Sequence, residues 1–236
     1  MCPVIVTCRS ICWTLLTIST TLVMIASVMS PQWLIGYPRK EGLLTIFEIS
    51  NNTIFDSEKT YEPTIGIINR CTKLHKFQNI LERENCATFV TSASMGNDQF
   101  PNAWKATLAF FSVGGILLVF TMFTSVISIC TQSLFGKSIF TVSGLIQSIS
   151  GLFCVIALLL YPVGWSSRKV KNYCGENAEE FVIDQCILGW SFYLCIVGTL
   201  LVFVCSILSV GADHATSSRK VEEEVLEGKS LICVMA

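Results

Sequence analysis

Charge is what this chain lacks most. Only 14% of its 236 residues are Asp, Glu, Lys or Arg, against about 25% in an ordinary soluble domain. Histidine is nearly absent, with two residues, and neither His75 nor His214 falls in a catalytic motif. Asp213-His214 reads as a polar exit from an apolar segment rather than half of a catalytic pair. With so few acid–base groups the chain is not expected to be an enzyme, and no cofactor or metal is expected. A net charge of -1 supplies no basic field for nucleic acid, so no nucleic-acid partner is expected.

The deficit is concentrated in four segments. Residues 11–28, 106–129, 139–161 and 187–210 contain no Asp, Glu, Lys, Arg or His. Each approaches or exceeds the roughly 20 residues that a spanning helix needs. In hydrocarbon the backbone must satisfy its own hydrogen bonds, so these segments are expected to be helices. The first follows Arg9 and reads as an uncleaved signal anchor, because the apolar region of a cleaved signal is shorter. The expected organisation is a terminus (1–10), a long loop (29–105), a short loop (130–138), a medium loop (162–186) and a tail (211–236). Both termini and the short loop then share one side of a bilayer, and the two larger loops share the other. The expected class is a membrane all-α protein, a four-transmembrane-helix bundle with a small disulfide-stapled extracellular β-sheet. Its first partner is the lipid bilayer itself.

Basic residues do not decide the orientation. Arg9, Lys137, Arg219, Lys220 and Lys229 lie on the side of the termini. Arg39, Lys40, Lys105, Arg168, Lys169 and Lys171 lie close to spans on the other side, a mild lean against the usual rule. Cysteines point more firmly. Cys71 and Cys86 occupy the long loop, Cys174 and Cys186 the medium loop. Three pairings are open in principle, and pairing within each loop closes short rings. A ring of about 15 residues is worth about 3 kcal/mol in the chain-entropy view. The competing reading is a metal site, which lacks a His-Cys cluster to support it. Disulfides imply an oxidising compartment for those loops. Asn51-Asn52-Thr53 adds a glycosylation sequon at Asn51. Both termini are therefore placed in the cytoplasm, with the chain multi-pass in the plasma membrane or an endomembrane.

The remaining cysteines divide by position. Cys154, Cys195 and Cys205 lie inside spans and read as small packing residues. Cys2, Cys8, Cys12 and Cys130 lie near the cytoplasmic boundary and are candidates for S-palmitoylation. Small and hydroxylated residues recur at helical spacing: Ser10, Thr14, Thr17 and Thr21, then Gly144, Ser148 and Gly151, then Ser191, Cys195, Gly198, Cys205 and Ser209. Such faces allow close helix approach, here within the bundle in preference to a partner's helices. Gln147 is the one amide in a span and is expected to bond a neighbouring helix. In the long loop, residues 43–49, 53–55 and 64–69 read as short strands. Trp33, Trp104, Trp165 and Trp190 fall where spans meet the outer surface and read as an aromatic belt.

The residues also carry a resemblance. Leu160-Tyr161-Pro162-Val163-Gly164-Trp165, then Tyr173-Cys174-Gly175, then Cys186-Ile187-Leu188-Gly189-Trp190 resemble the lipoma HMGIC fusion partner-like (LHFPL) tetraspan family. Val4-Ile5-Val6-Thr7-Cys8-Arg9-Ser10, Trp33-Leu34-Ile35-Gly36, Lys137-Ser138-Ile139-Phe140 and Ala215-Thr216-Ser217-Ser218 most resemble the second member of that family. A more distant likeness is to the claudin and peripheral-myelin-protein superfamily. There Trp33, Gly66-Ile67-Ile68, Cys71 and Cys86 occupy comparable places, with Ile68 standing where those relatives carry a second Trp. The resemblance implies a claudin-like four-helix bundle with an extracellular sheet. It also implies an auxiliary or adaptor subunit that binds other integral membrane proteins, in channel, receptor or adhesion complexes, and aids their trafficking or placement.

Two other functions compete with that reading. One is claudin-like adhesion or barrier formation through the outer sheet. The other is a channel formed by oligomerisation, and assembly as a homo-oligomer stays open. The end of the chain, Cys233-Val234-Met235-Ala236, fits the C-a-a-X pattern for prenylation of Cys233. The plainer alternative is an apolar tail end that lies on the membrane.

Overall fold

A computed structural model of the chain describes residues 4–37, 39–40, 60–75, 83–88, 101–129, 133–134, 137–217 and 231–234. Asn51 and the expected strands at 43–49 and 53–55 lie outside these residues. The elements run β1 (Val4–Thr7), α1 (Cys8–Met29), β2 (Leu34–Ile35), β3 (Arg39–Lys40), β4 (Thr60–Ile65), β5 (Asn69–His75), β6 (Arg83–Thr88) and α2 (Asn102–Ile127). They continue with β7 (Ser133–Leu134), β8 (Lys137–Ser138), α3 (Ile139–Val163), a 3-10 turn (Gly164–Ser166), α4 (Arg168–Cys174), β9 (Ile187–Leu188), α5 (Trp190–Thr216) and β10 (Leu231–Val234). The chain divides into a helical unit, Met1–Val28 with Lys105–Tyr161 and Leu194–Ala236, and a sheet unit, Met29–Trp104 with Pro162–Tyr193.

Among the described residues, four helices are long and apolar enough to cross a membrane: Cys8–Met29, Asn102–Ile127, Ile139–Ser166 (α3 with its 3-10 turn) and Trp190–Thr216. The fourth begins at Trp190, not at Ile187, because Ile187 and Leu188 pair with β2. Apolarity alone cannot separate a buried or edge strand from the first turn of the helix that follows it.

In the helical unit, α1 starts where a capping box sets it. The Ser10 backbone N–H donates to Thr7 Oγ1 at 3.1 Å, and the Thr7 N–H donates to Ser10 Oγ at 3.1 Å. Two otherwise orphaned donors are thereby satisfied. Leu15, Leu22, Ile116, Leu145, Leu159, Leu200 and Ile207 are exposed on the outward helix faces. In water that much apolar surface would be a liability, while in lipid it is the preferred state.

The inward faces carry the small polar residues, which bond one another or backbone carbonyls. Thr14 Oγ1 donates to the Ser125 carbonyl at 3.3 Å, joining α1 to α2. Gln147 Nε2 donates to Thr17 Oγ1 at 3.0 Å, joining α3 to α1. Thr20 Oγ1 meets Cys205 Sγ at 3.7 Å, joining α1 to α5. Ser150 Oγ donates to the Gly114 carbonyl at 2.8 Å, and Ser206 Oγ to the Gly144 carbonyl at 2.7 Å. Gly144 lies against Ser209, and Gly151 against Phe203, too closely for a side chain at either position. Trp13 packs edge-on to Phe140 with ring centroids 5.3 Å apart. The small-residue stripes are thus packing faces of this bundle.

Asp213 has a more specific job than a polar exit. Ser138 Oγ donates to its Oδ1 at 2.5 Å and Thr141 Oγ1 to its Oδ2 at 3.0 Å, so a carboxylate from α5 closes the start of α3. A negative charge is favoured there by the helix dipole. The ends of the described chain also meet: β10 pairs with β1 in parallel, with Cys233 opposite Val6.

Thr17→Val tests the interior bond. It removes the acceptor of a buried Gln147 and is expected to cost about 1–2 kcal/mol in reversible unfolding from mild detergent. Adding Gln147→Met is expected to recover most of that loss, because both polar groups are then gone.

Candidate interaction surface

The sheet unit is built from both larger loops. Its strands order as β6-β5-β4-β2-β9, with β3 also on β4, all antiparallel. The pairing of β2 with β9, Leu34 opposite Leu188, sews the medium loop to the beginning of the long one. Residues 64–69, expected as one strand, instead span a hairpin turn. The Gly66 N–H donates to the Asn69 carbonyl at 2.8 Å, reversing the chain between β4 and β5. The turn escapes a reading by composition because Ile67 within it is fully buried, whereas turns are ordinarily polar.

Disulfides fix the unit at two points. Cys71 and Cys86 face each other across β5 and β6, with Cα atoms 4.1 Å apart and a bond between them. Cys174, at the end of α4, joins Cys186, with Cα atoms 4.9 Å apart. The Gln185 N–H also donates to the Cys174 carbonyl at 2.7 Å. Each disulfide lies within one loop. Gly175 follows α4 at a φ of 111°, a conformation that favours glycine, and its N–H caps the Lys171 carbonyl.

Three of the four tryptophans expected to form an aromatic belt do something else. Trp33, Trp104 and Trp165 are buried, and only Trp190 of the four is exposed. Trp33 packs edge-on to Phe192, 5.6 Å between centroids. Trp104 lies against Gly164. A β-carbon at Gly189 would strike the Gln32 carbonyl, and one at Gly66 would strike the Ser30 carbonyl and Pro31 Cα. Backbone cannot swing aside as a flexible side chain can, so both positions need glycine. Trp190 Nε1 bonds Gln32 Oε1, and the Gly189 N–H donates to the Trp33 carbonyl at 2.8 Å. Tyr161 is buried, and Pro162 sits one residue before the end of α3, where its carbonyl accepts from the Phe181 N–H at 3.4 Å. Of the singled-out residues, Trp33, Gly189 and Trp190 are brought together directly.

What composition does not reveal is a tip on the medium loop. Glu179 and Val182 exchange backbone hydrogen bonds at 3.1 Å, making a tight turn. Phe181 in that turn has a φ of 63°, the left-handed region, and is 60% exposed. Val182 beside it is 53% exposed. A bulky side chain held in that backbone conformation stores strain of order 1–3 kcal/mol, and such residues concentrate at functional positions. Tyr37 and Ile187, exposed by 63% and 60%, border a cleft of about 180 Å3 that Glu62 and Gln185 also line.

A second cleft, about 330 Å3, lies between the hairpin and Tyr173, over the Cys71–Cys86 bond. Arg70 Nη1 donates to Tyr173 Oη there at 2.9 Å. Burial, and then the positive charge of Arg70, hold the Lys169 ammonium below the usual lysine range. Among the described residues, no three His, Cys, Asp or Glu side chains group to hold a metal.

Four apolar helices and a disulfide-closed antiparallel sheet define a tetraspan integral membrane protein. The chain belongs to the lipoma HMGIC fusion partner-like family, whose model matches residues 9–211. It is 41% identical over 236 residues, the full length of both chains, to the LHFPL tetraspan subfamily member 2a protein of Danio rerio. It is 41% identical over 235 residues, again end to end, to the LHFPL tetraspan subfamily member 2 protein of Homo sapiens. Similarity to the member 5 protein of Gallus gallus is lower, 26% over 109 residues, covering 46% of this chain and 48% of that one.

Gly189→Ala is expected to destabilise the purified protein by about 1–3 kcal/mol, read as a fall in its thermal midpoint in detergent. Gly115→Ala is the control: a β-carbon there meets nothing within 4 Å, and the midpoint should hold.

Proposed function

We propose that this chain is a non-enzymatic auxiliary subunit that binds another integral membrane protein through its sheet unit and supports that partner's trafficking or placement. The observation that carries the reading is Phe181. An exposed aromatic, held in a strained backbone conformation on a disulfide-closed loop, is a preorganised anchor for a partner's pocket. The family resemblance implies the same role, that of an auxiliary subunit in channel, receptor or adhesion complexes. The helical unit is consistent with it, since Gln147 Nε2 and the hydroxyls of Thr14, Ser150 and Ser206 join helices to one another.

In this reading the helices cross the bilayer, both termini are cytoplasmic, and the two larger loops face outward from the plasma membrane or an endomembrane. Two disulfides in those loops favour an oxidising compartment. The Asn51 sequon then lies on the glycosylated side. Endoglycosidase treatment is expected to lower the apparent mass of the wild type and leave Asn51→Gln unchanged. A wild-type chain without glycan, in which an N-terminal epitope stains on unpermeabilised cells, would reverse the orientation.

The contact is tested with a photocrosslinking amino acid at position 181 and, as a lipid-facing control, at 145. Position 181 is expected to capture one integral membrane protein that 145 does not. Phe181→Asp is expected to weaken co-purification about thirtyfold, the scale of a hot-spot loss of roughly 2 kcal/mol. Crosslinks from 181 only to copies of this chain on apposed cells would favour the adhesion reading instead.

A further inference from the structure

The cysteines among the described residues sort by what each can do; Cys2 and Cys130 lie outside those residues. Cys71, Cys86, Cys174 and Cys186 are bonded in pairs. Cys154, Cys195 and Cys205 are free thiols but buried among the helices. Cys8 and Cys12 are free and exposed. They lie four residues apart in α1, so they share one face, one turn apart.

That face is defined by its neighbours. Ser10, Trp13, Thr14, Thr17 and Thr21 turn the other way and are buried. Ile11, Leu15, Leu22, Ile25 and Met29 continue the exposed side. From Cys12 to Met29 this apolar stripe runs about 25 Å, most of the roughly 30 Å hydrocarbon thickness. The two thiols therefore head a lipid-facing stripe, at the end of the helix where the charge-free segment begins. Arg9 stands exposed between them, a side chain suited to phosphate headgroups. The Thr7–Ser10 capping box sets the first turn, so Cys8 belongs to a formed helix start.

We propose that Cys8 and Cys12 form a paired S-acylation site, modified by a long-chain acyl-coenzyme A. The cysteine sulfur attacks the thioester carbonyl carbon. A new sulfur–carbon thioester bond forms, the bond from that carbon to the coenzyme sulfur breaks, and the coenzyme leaves as its thiol with the proton the cysteine gave up. No oxidation or reduction occurs. Each acyl chain enters the bilayer alongside Leu15 and Leu22, and the pair ties the start of α1 to one leaflet. The site rests on the cytoplasmic N-terminus proposed above, because the acyl donor is cytosolic.

The test uses the full-length protein expressed in cells. Free thiols are blocked, thioesters are cleaved with hydroxylamine, and each released thiol takes a mass tag. In a Cys2→Ser/Cys130→Ser background, which removes the other boundary cysteines, the chain is expected to show a species with two tags, added Cys8→Ser or Cys12→Ser one each, and added Cys8→Ser/Cys12→Ser none. Cys233→Ser is expected to keep both. Absence of any hydroxylamine-dependent tag in that background overturns the proposal, as do tags that persist once Cys8→Ser/Cys12→Ser is added. An N-terminal epitope on the same chain separates the causes. Tags absent while the epitope stains only after permeabilisation overturn acylation alone, whereas staining of intact cells overturns the orientation and the site with it.

Discussion

Hydrocarbon offers no hydrogen-bond partner to a hydroxyl, an amide or a backbone group, and the helical unit is arranged around that constraint. Most of its buried hydroxyls bond across or along the helices, while Gln147 Oε1 and Trp13 Nε1 are buried without a hydrogen-bond partner. Thr17 accepts from Gln147, Thr14 donates to the Ser125 carbonyl, and Ser150 and Ser206 reach the Gly114 and Gly144 carbonyls. Each bond contributes little, on the order of 1 kcal/mol. Their effect is positional: the same glycines that admit a close neighbour also expose the carbonyl that a neighbouring serine uses. Close approach and polar satisfaction are one solution to one problem. At the start of α3, Ser138 and Thr141 donate hydrogen bonds to the Asp213 carboxylate.

The sheet unit meets a different constraint. Small extracellular-type units commonly rely on crosslinks as well as on an apolar core. Two disulfides, three buried tryptophans and backbone contacts at Gly66 and Gly189 hold it together. That rigidity lets Phe181 remain exposed at an unfavourable backbone angle. In a mobile loop the strain would relax and the aromatic would fold against the nearest apolar surface. The auxiliary-subunit proposal rests on the medium loop, which presents Phe181 exposed in a left-handed backbone conformation.

Hydropathy made the four helices legible because lipid imposes a length and a composition that few other environments demand. Cysteine placement likewise made the two within-loop disulfides legible. What stayed hidden depended on contacts between distant residues. Ile187 and Leu188 are as apolar as the helix they precede, and only their pairing with β2 makes them a strand. The turn at Gly66–Ile68 was masked by the burial of Ile67. Position at span ends points the tryptophans to a lipid interface, although Trp33, Trp104 and Trp165 are enclosed by protein. The Phe181 tip left one signal, an aromatic after two glutamates in a polar loop, and nothing in that pattern specifies a left-handed backbone.

The central claim is that this tetraspan acts by holding another membrane protein. Affinity purification of the tagged full chain in mild detergent, with native mass spectrometry of the eluate, tests it most directly. A complex of fixed stoichiometry with a second integral membrane protein is expected. Recovery of only the free chain, or of copies of itself, would contradict it.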